Sequence, residues 1–172
     1  MRKLKEQGGY ALLIVLLAVT LIGIFTPLIF SKLMNSTQQF QKTEQGIQLH
    51  KLSEMGTVYV ENAISVAGNH AKEGVTKWIK QKDPTKPAPT NQEISEYFYR
   101  LFTAELGNYI PSPSFIKEMS DPKYKFKMAI DSISLGNSTL DVSYTITPSL
   151  NNQFDGKNER KGNKAISINI SN

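Results

Sequence analysis

Apolar residues in this chain are gathered at one end. From Gln7 to Ser31 no position carries a charge, and 14 of the 21 residues Tyr10–Phe30 are Leu, Ile, Val or Phe. As a helix rising about 1.5 Å per residue, that stretch covers roughly 31 Å, close to the roughly 30 Å of a hydrocarbon core. Each such residue favours insertion by roughly 0.3–0.6 kcal/mol, so the run as a whole favours it by several. A secretory signal peptide has a shorter apolar region, of about 7–15 residues, and ends at a small-residue cleavage site. Here the run leaves through Phe30-Ser31-Lys32-Leu33-Met34, so a retained transmembrane helix is expected over residues 10–30.

The pattern then turns amphipathic. Residues 31–82 lack proline, with Leu33, Phe40 and Ile47 seven apart and Leu52, Met55, Tyr59, Ala63 and Val66 at three- and four-residue steps. This spacing predicts a helix growing out of the span. Gly68-Asn69 is the expected stop, with a second helical piece over Glu73–Lys82. Asp83 to Thr90 holds three prolines within six residues and cannot continue a helix, so residues 83–91 read as a linker. Thr90 or Asn91 should cap a short helix running through Leu106, with Ile94, Tyr97, Phe98, Leu101 and Phe102 on one face. Gly107 and Pro111-Ser-Pro113 should end it.

Beyond that point the period changes to two. Tyr124, Phe126, Met128 and Ile130 alternate with polar neighbours in a run to Leu135, and Gly136-Asn137 signals a turn. Leu140, Val142, Tyr144 and Ile146 alternate up to Pro148, and Ile166, Ile168 and Ile170 alternate in a last segment. Three strands with one apolar face each predict a small antiparallel sheet covered by the long helix, with the polar insert Asn151–Asn163 between the last two. The fold class is α+β: a long N-terminal helix packed on a small antiparallel sheet.

Charge supplies the orientation. Of 20 basic and 15 acidic residues, Arg2, Lys3 and Lys5, opposed by Glu6, precede the span, and Lys32 alone stands close behind it. That excess keeps the N-terminus cytoplasmic and sends residues 31–172 outside. The net +5 is therefore largely a topology signal and no argument for nucleic acid. A lone span excludes a polytopic transporter, and the absence of cysteine excludes disulfides and thiol chemistry.

Catalytic patterns are missing as well. His50 and His70, the only histidines, lie twenty residues apart, and there is no nucleophile elbow, phosphate-cradling glycine loop or zinc-protease motif. Asn151, Asn152, Asp155, Asn158 and Glu159 offer oxygen ligands, but without the spacing of a dedicated calcium loop, so a polar hairpin connection is expected. Lys72, Lys77, Lys80, Lys82 and Lys86 surround Trp78; a solvated helix face with Trp78 as packing anchor explains them more simply than DNA contact does. No enzyme, metal or cofactor is expected.

The N-terminal wording, Lys5-Glu-Gln-Gly-Gly9 followed by Tyr10-Ala-Leu-Leu-Ile-Val-Leu-Leu17, resembles the type IV pilin and type II secretion pseudopilin family, and looks closest to minor pilins of the PilX or GspK kind. Ile22-Gly23-Ile24 sits where many pilins carry the same step. The resemblance implies that residues 1–9 are a basic leader cut by a prepilin peptidase between Gly9 and Tyr10. Tyr10 would become a methylated mature N-terminus, and the chain would pass from the membrane into a surface filament of pilin subunits. The family's glutamate at the fifth mature position is replaced by Ile14, a loss that such minor pilins tolerate. Pro27 lacks the N–H that would bond the Gly23 carbonyl, so Gly23 and Pro27 mark an expected helix kink, with Thr26 offering its hydroxyl to the freed group. The competing expectation is a signal-anchored, single-pass surface protein whose outer region, helical over 31–82 and a short helix plus sheet over 92–172, binds a ligand without joining a filament.

Overall fold

A computed structural model of the chain describes residues 3–82, 87–111, 114–136 and 138–168, with side chains from residue 9 onward. The expectations placed on Arg2, on residues 83–86 (Lys86 among them), and on Pro113, Asn137 and Ile170 lie outside the described residues. The chain divides into two units, Met1–Gly46 and Ile47–Asn172. Helix α1 (Lys3–Gln81) supplies all the described structure of the first and begins the second. The rest of the second unit is α2 (Asn91–Tyr109), β1 (Ser114–Glu118), β2 (Tyr124–Leu135), β3 (Thr139–Leu150), β4 (Gln153–Phe154) and β5 (Arg160–Ser167). The sheet is antiparallel. β1 pairs with β2 and β2 with β3, while the far side of β3 is shared by β4 and β5. The fold is α+β, as the change of period implies.

Four boundaries differ from expectation. α1 does not stop at Gly68. Glycine in a helix interior costs about 1 kcal/mol relative to alanine, but a Cβ here would press on the Ile166 side chain at 3.1 Å, so Gly68 sets the approach of helix to sheet. The face of α1 read off the sequence is buried in part: Leu52 and Ala63 are buried and Tyr59 and Val66 half-buried, but Phe40, Ile47 and Met55 are exposed, and Ser53, Gly56, Val60, Ile64, Ala67, Ala71 and Val75 make up the rest of the buried side. Polar and small residues carry no hydropathy signal, yet they form the seam where a Cβ on Gly56 would meet Phe126 at 3.1 Å.

α2 runs past Gly107 to Tyr109, where the Ile110 N–H donates to the Leu106 carbonyl at 2.8 Å. Its start follows expectation: the Glu93 N–H donates to Thr90 Oγ1 at 3.2 Å and the Thr90 N–H donates to Glu93 Oε2 at 2.8 Å, a reciprocal capping box. Phe98, Phe102 and Leu106 are buried against α1 and the sheet.

β5 begins at Arg160, six residues before its apolar alternation becomes visible, because its inward positions there are Arg160, Gly162 and Lys164. β3 continues beyond Pro148, which stands where the neighbouring ladder passes from β5 (Ile146 opposite Arg160) to β4 (Ser149 opposite Phe154), so its missing N–H interrupts little. β1, short and at the edge, has no sequence signature. β2 carries a bulge between Ile130 and Ser132, which lets Ile130 and Ile133, three apart, lie opposite Tyr144 and Val142 on the helix-facing side.

Candidate membrane and assembly segment

In the first unit, residues 10–30 form uninterrupted α-helix with every residue exposed. The helix is long and apolar enough to cross a membrane, and none of its apolar window is buried within the structure. Burying such a surface in lipid removes the free-energy cost of leaving it in water. Its polar side chains are handled locally. Thr20 Oγ1 donates to the Leu17 carbonyl at 2.8 Å, and Thr26 Oγ1 donates to the Ile22 carbonyl at 2.6 Å. Thr26 therefore serves the carbonyl one residue before Gly23, because a threonine χ1 rotamer on a helix reaches the i−4 position.

The residues singled out by the sequence all fall on this one helix. Gly9 has open space around it, Tyr10 is 70 % exposed and Ile14 is 48 % exposed. Gly23 is likewise open, and α-helix continues through Pro27. Tyr10 and Ile14 lie four residues apart and hence on one side of the helix. The helix that they head is predominantly apolar, without an ionisable group from Tyr10 to Phe30 apart from the Tyr10 phenol.

The second unit holds the polar groups. Its most connected cluster, absent from the sequence reading, joins α1 to the sheet. The Tyr144 hydroxyl donates to Glu61 Oε1 at 2.8 Å. Lys164 Nζ donates to the Glu61 carbonyl at 3.2 Å and stands 3.9 Å from Glu61 Oε2. Arg160 Nη1 lies 3.9 Å from Glu54 Oε1, which His50 Nε2 approaches at 3.3 Å. Burial, and then the bond to Glu61, push the Tyr144 phenol up to about 12. Glu54 and Glu61, seven apart on the helix, and Arg160 and Lys164, four apart on the strand, were the available signals. Only the β3–β5 register makes them meet.

The other candidates resolve into structural roles. Trp78 stacks on Tyr97 with centroids 4.7 Å apart, under Lys82 at 5.3 Å, while Arg100 covers Tyr97 at 4.9 Å. Glu93 and Glu96 line the same cleft, so the basic stretch is interleaved with carboxylates where α1 and α2 meet. In the Asn151–Glu159 loop, Asn151 and Asn152 take left-handed φ values of 53° and 64° in the tight turn between β3 and β4, which asparagine tolerates. Asp155 accepts from the Lys157 N–H and from Asn158 Nδ2, both at 2.8 Å. Those hydrogen bonds, Asn158 first, hold its carboxyl below the usual range. Among the described residues no cluster of three or more His, Cys, Asp or Glu is placed to hold a metal ion.

Comparisons with protein-family models, with curated proteins and with solved structures return no match for this chain. The class defined by fold and segment is therefore an α+β domain whose leading helix also carries an exposed apolar stretch of membrane-spanning length.

Proposed function

We propose that the chain is a minor pilin-like or pseudopilin-like structural subunit of a type IV filament or of a secretion or DNA-uptake apparatus. Residues 10–30 hold it in the membrane with the N-terminus cytoplasmic until a prepilin peptidase cuts after Gly9. The same helix then packs among those of other subunits. The observation that carries this reading is the use of α1: its apolar stretch directly after Gly9 is wholly exposed, and its later turns bury the apolar face of an antiparallel sheet.

Ile14 refines the role. A glutamate in its place would be costly in lipid unless paired, and would thereby select a partner's N-terminal amine. Isoleucine removes both the cost and the selection. Such a subunit offers its own Tyr10 amine without needing one in return, which suits the first position of a filament, at its tip, and a low copy number.

Mass spectrometry of the protein from its own cells tests the reading. The expected product begins at an N-methylated Tyr10, and Gly9→Val leaves a full-length chain that still inserts. In sheared filaments the subunit should be scarce. An intact Met1, or a cut beyond Phe30, would overturn the pilin class in favour of a plain surface anchor or a cleaved signal. Finding it as the main shaft protein would overturn the tip assignment alone.

A further inference from the structure

We propose that His50, Glu54 and Arg160 form a proton-sensitive clasp, which holds the start of β5 to α1 at neutral pH and slackens it in mild acid. The device lies wholly within the second unit and does not depend on filament membership.

β5 is attached by different means along its length. Its far half is anchored by packing, with Ile166 buried against Gly68 of α1 and Ile168 buried just beyond the strand. From Arg160 to Ala165 no residue is buried. Among the described residues this near half is also a sheet edge, paired with β3 alone. Its side-chain ties to α1 are polar. Lys164 reaches both the carbonyl and the carboxylate of Glu61, and Arg160 Nη1 stands 3.9 Å from Glu54 Oε1. Segments with little apolar burial open locally before the core does, so these two ties set how often the near half comes away.

The ties differ in what shares them. Glu61 is shared with the Tyr144 hydroxyl, whose proton is held by burial and by that bond up to about 12. Glu54 is shared with a histidine: His50 Nε2 lies 3.3 Å from the same Oε1 that meets Arg160. Histidine is the side chain whose charge ordinarily changes between about pH 5 and 8. A proton on His50 sets a second cation on that oxygen, which divides the pull of the carboxylate and repels the guanidinium. The other charged or titratable groups on the elements that meet here are Lys51 and Glu61 of α1, Tyr144 of β3, Lys161 and Lys164 of β5, and Lys157 and Glu159 just before it. Glu159 Oε1 lies 3.9 Å from Lys161 Nζ, on the β5 side. His50 is the one histidine among them. Loosening that spreads from Arg160 to Gly162 uncovers the edge of β3 from Ile146 to Tyr144, whose ring lies over Gly162. Acid outside the protein is thereby read as access to that edge.

Hydrogen exchange of the full-length protein in lipid nanodiscs tests the clasp, with each rate divided by the intrinsic rate at the same pH. Opening of residues 160–164 should be about threefold more frequent at about pH 5.5 than at about pH 7.5, the size of effect that one exposed ion pair supplies. Residues 165–168 should show no such difference. His50→Gln should abolish it, and His70→Gln, a control on the same helix, should leave it intact. Glu54→Gln should open the segment at both pH values, to about the acid level of wild type. Glu61→Gln should open it at both while preserving the difference. No pH difference in wild type, one that survives His50→Gln, one equally large over residues 165–168, or one lost in Glu61→Gln would overturn the proposal. So would greater protection in acid, which would mean that protonated His50 tightens the contact.

Discussion

Replacing Gly162 by alanine probes the packing of sheet against helix at its tightest point. An added Cβ would fall 2.6 Å from Tyr144 Cε2 and closer still to Cζ and the hydroxyl oxygen. Tyr144 is 1 % exposed and its hydroxyl is tied to Glu61, so the ring has no solvent into which to swing. Overpacking of this kind costs about 1–3 kcal/mol. Displacing the hydroxyl from Glu61 adds about 0.5–1.5 kcal/mol. Against these stands a gain of roughly 0.5–1 kcal/mol from removing a flexible glycine within a strand. The net expectation is a loss of about 2 kcal/mol.

Urea denaturation of residues 38–172, followed by the fluorescence of Trp78, the only tryptophan, gives the number. The decisive comparison is a double-mutant cycle. In a Tyr144→Ala background the obstruction is gone, so Gly162→Ala should cost nothing or stabilise slightly. The two changes should therefore be strongly non-additive. A cost under about 0.5 kcal/mol for Gly162→Ala alone, or an equal cost in both backgrounds, would refute the argument that Gly162 exists to admit the Tyr144 ring.

Tyr144→Phe should cost about 1 kcal/mol at neutral pH and alter the alkaline response. With its folded pKa raised from 10 to about 12, Tyr144 stabilises the fold fully below pH 10 and loses that contribution between 10 and 12. At pH 11 the unfolded chain gains about 1.4 kcal/mol by ionising this phenol and the folded chain almost none. The advantage of wild type over Tyr144→Phe should thus vanish by pH 11, and an unchanged gap in paired urea titrations would refute the linkage. Thr90→Ala should cost about 1 kcal/mol and speed amide exchange in the first turn of α2. The Thr90 backbone bond, then Lys82, holds the Glu93 carboxyl below its ordinary 4.5. Its share of the cap rests mainly on the Thr90 backbone N–H, which alanine keeps; it is present above that value and lost as pH falls through the depressed one in wild type and Thr90→Ala alike, so the cost of the substitution should change little in acid. Chelators should leave the melting temperature of residues 38–172 unchanged, since Asp155 and Asn158 already bond one another. A large fall would instead make the Asn151–Glu159 loop a calcium site.

Local pattern alone sufficed for several features. The apolar run over residues 10–30 reads as one long helix, which the structure has, and alternation over Tyr124–Ile130 and Leu140–Ile146 allows only strands with one buried face. The Thr90–Glu93 box is likewise written within four residues. The candidate segment was legible for the same reason: Gly9, Tyr10, Ile14, Gly23 and Pro27 are neighbours on one helix, and folding adds their exposure but no new partner among the described residues.

Tertiary structure decided what depends on residues distant in the chain. Gly68 reads as a helix stop until Ile166 is placed against it, and Gly162 reads as a loop residue until Tyr144 lies over it. Met55 stays outside while Gly56, invisible to a count of apolar residues, lets the helix come close to Phe126 and Ile146. β5 begins among cationic residues because Glu54 and Glu61, about a hundred positions earlier, receive Arg160 and Lys164. Hydropathy reports what a residue gains by leaving water. It cannot report a gain that comes from filling a gap or meeting a charge that only the completed fold supplies.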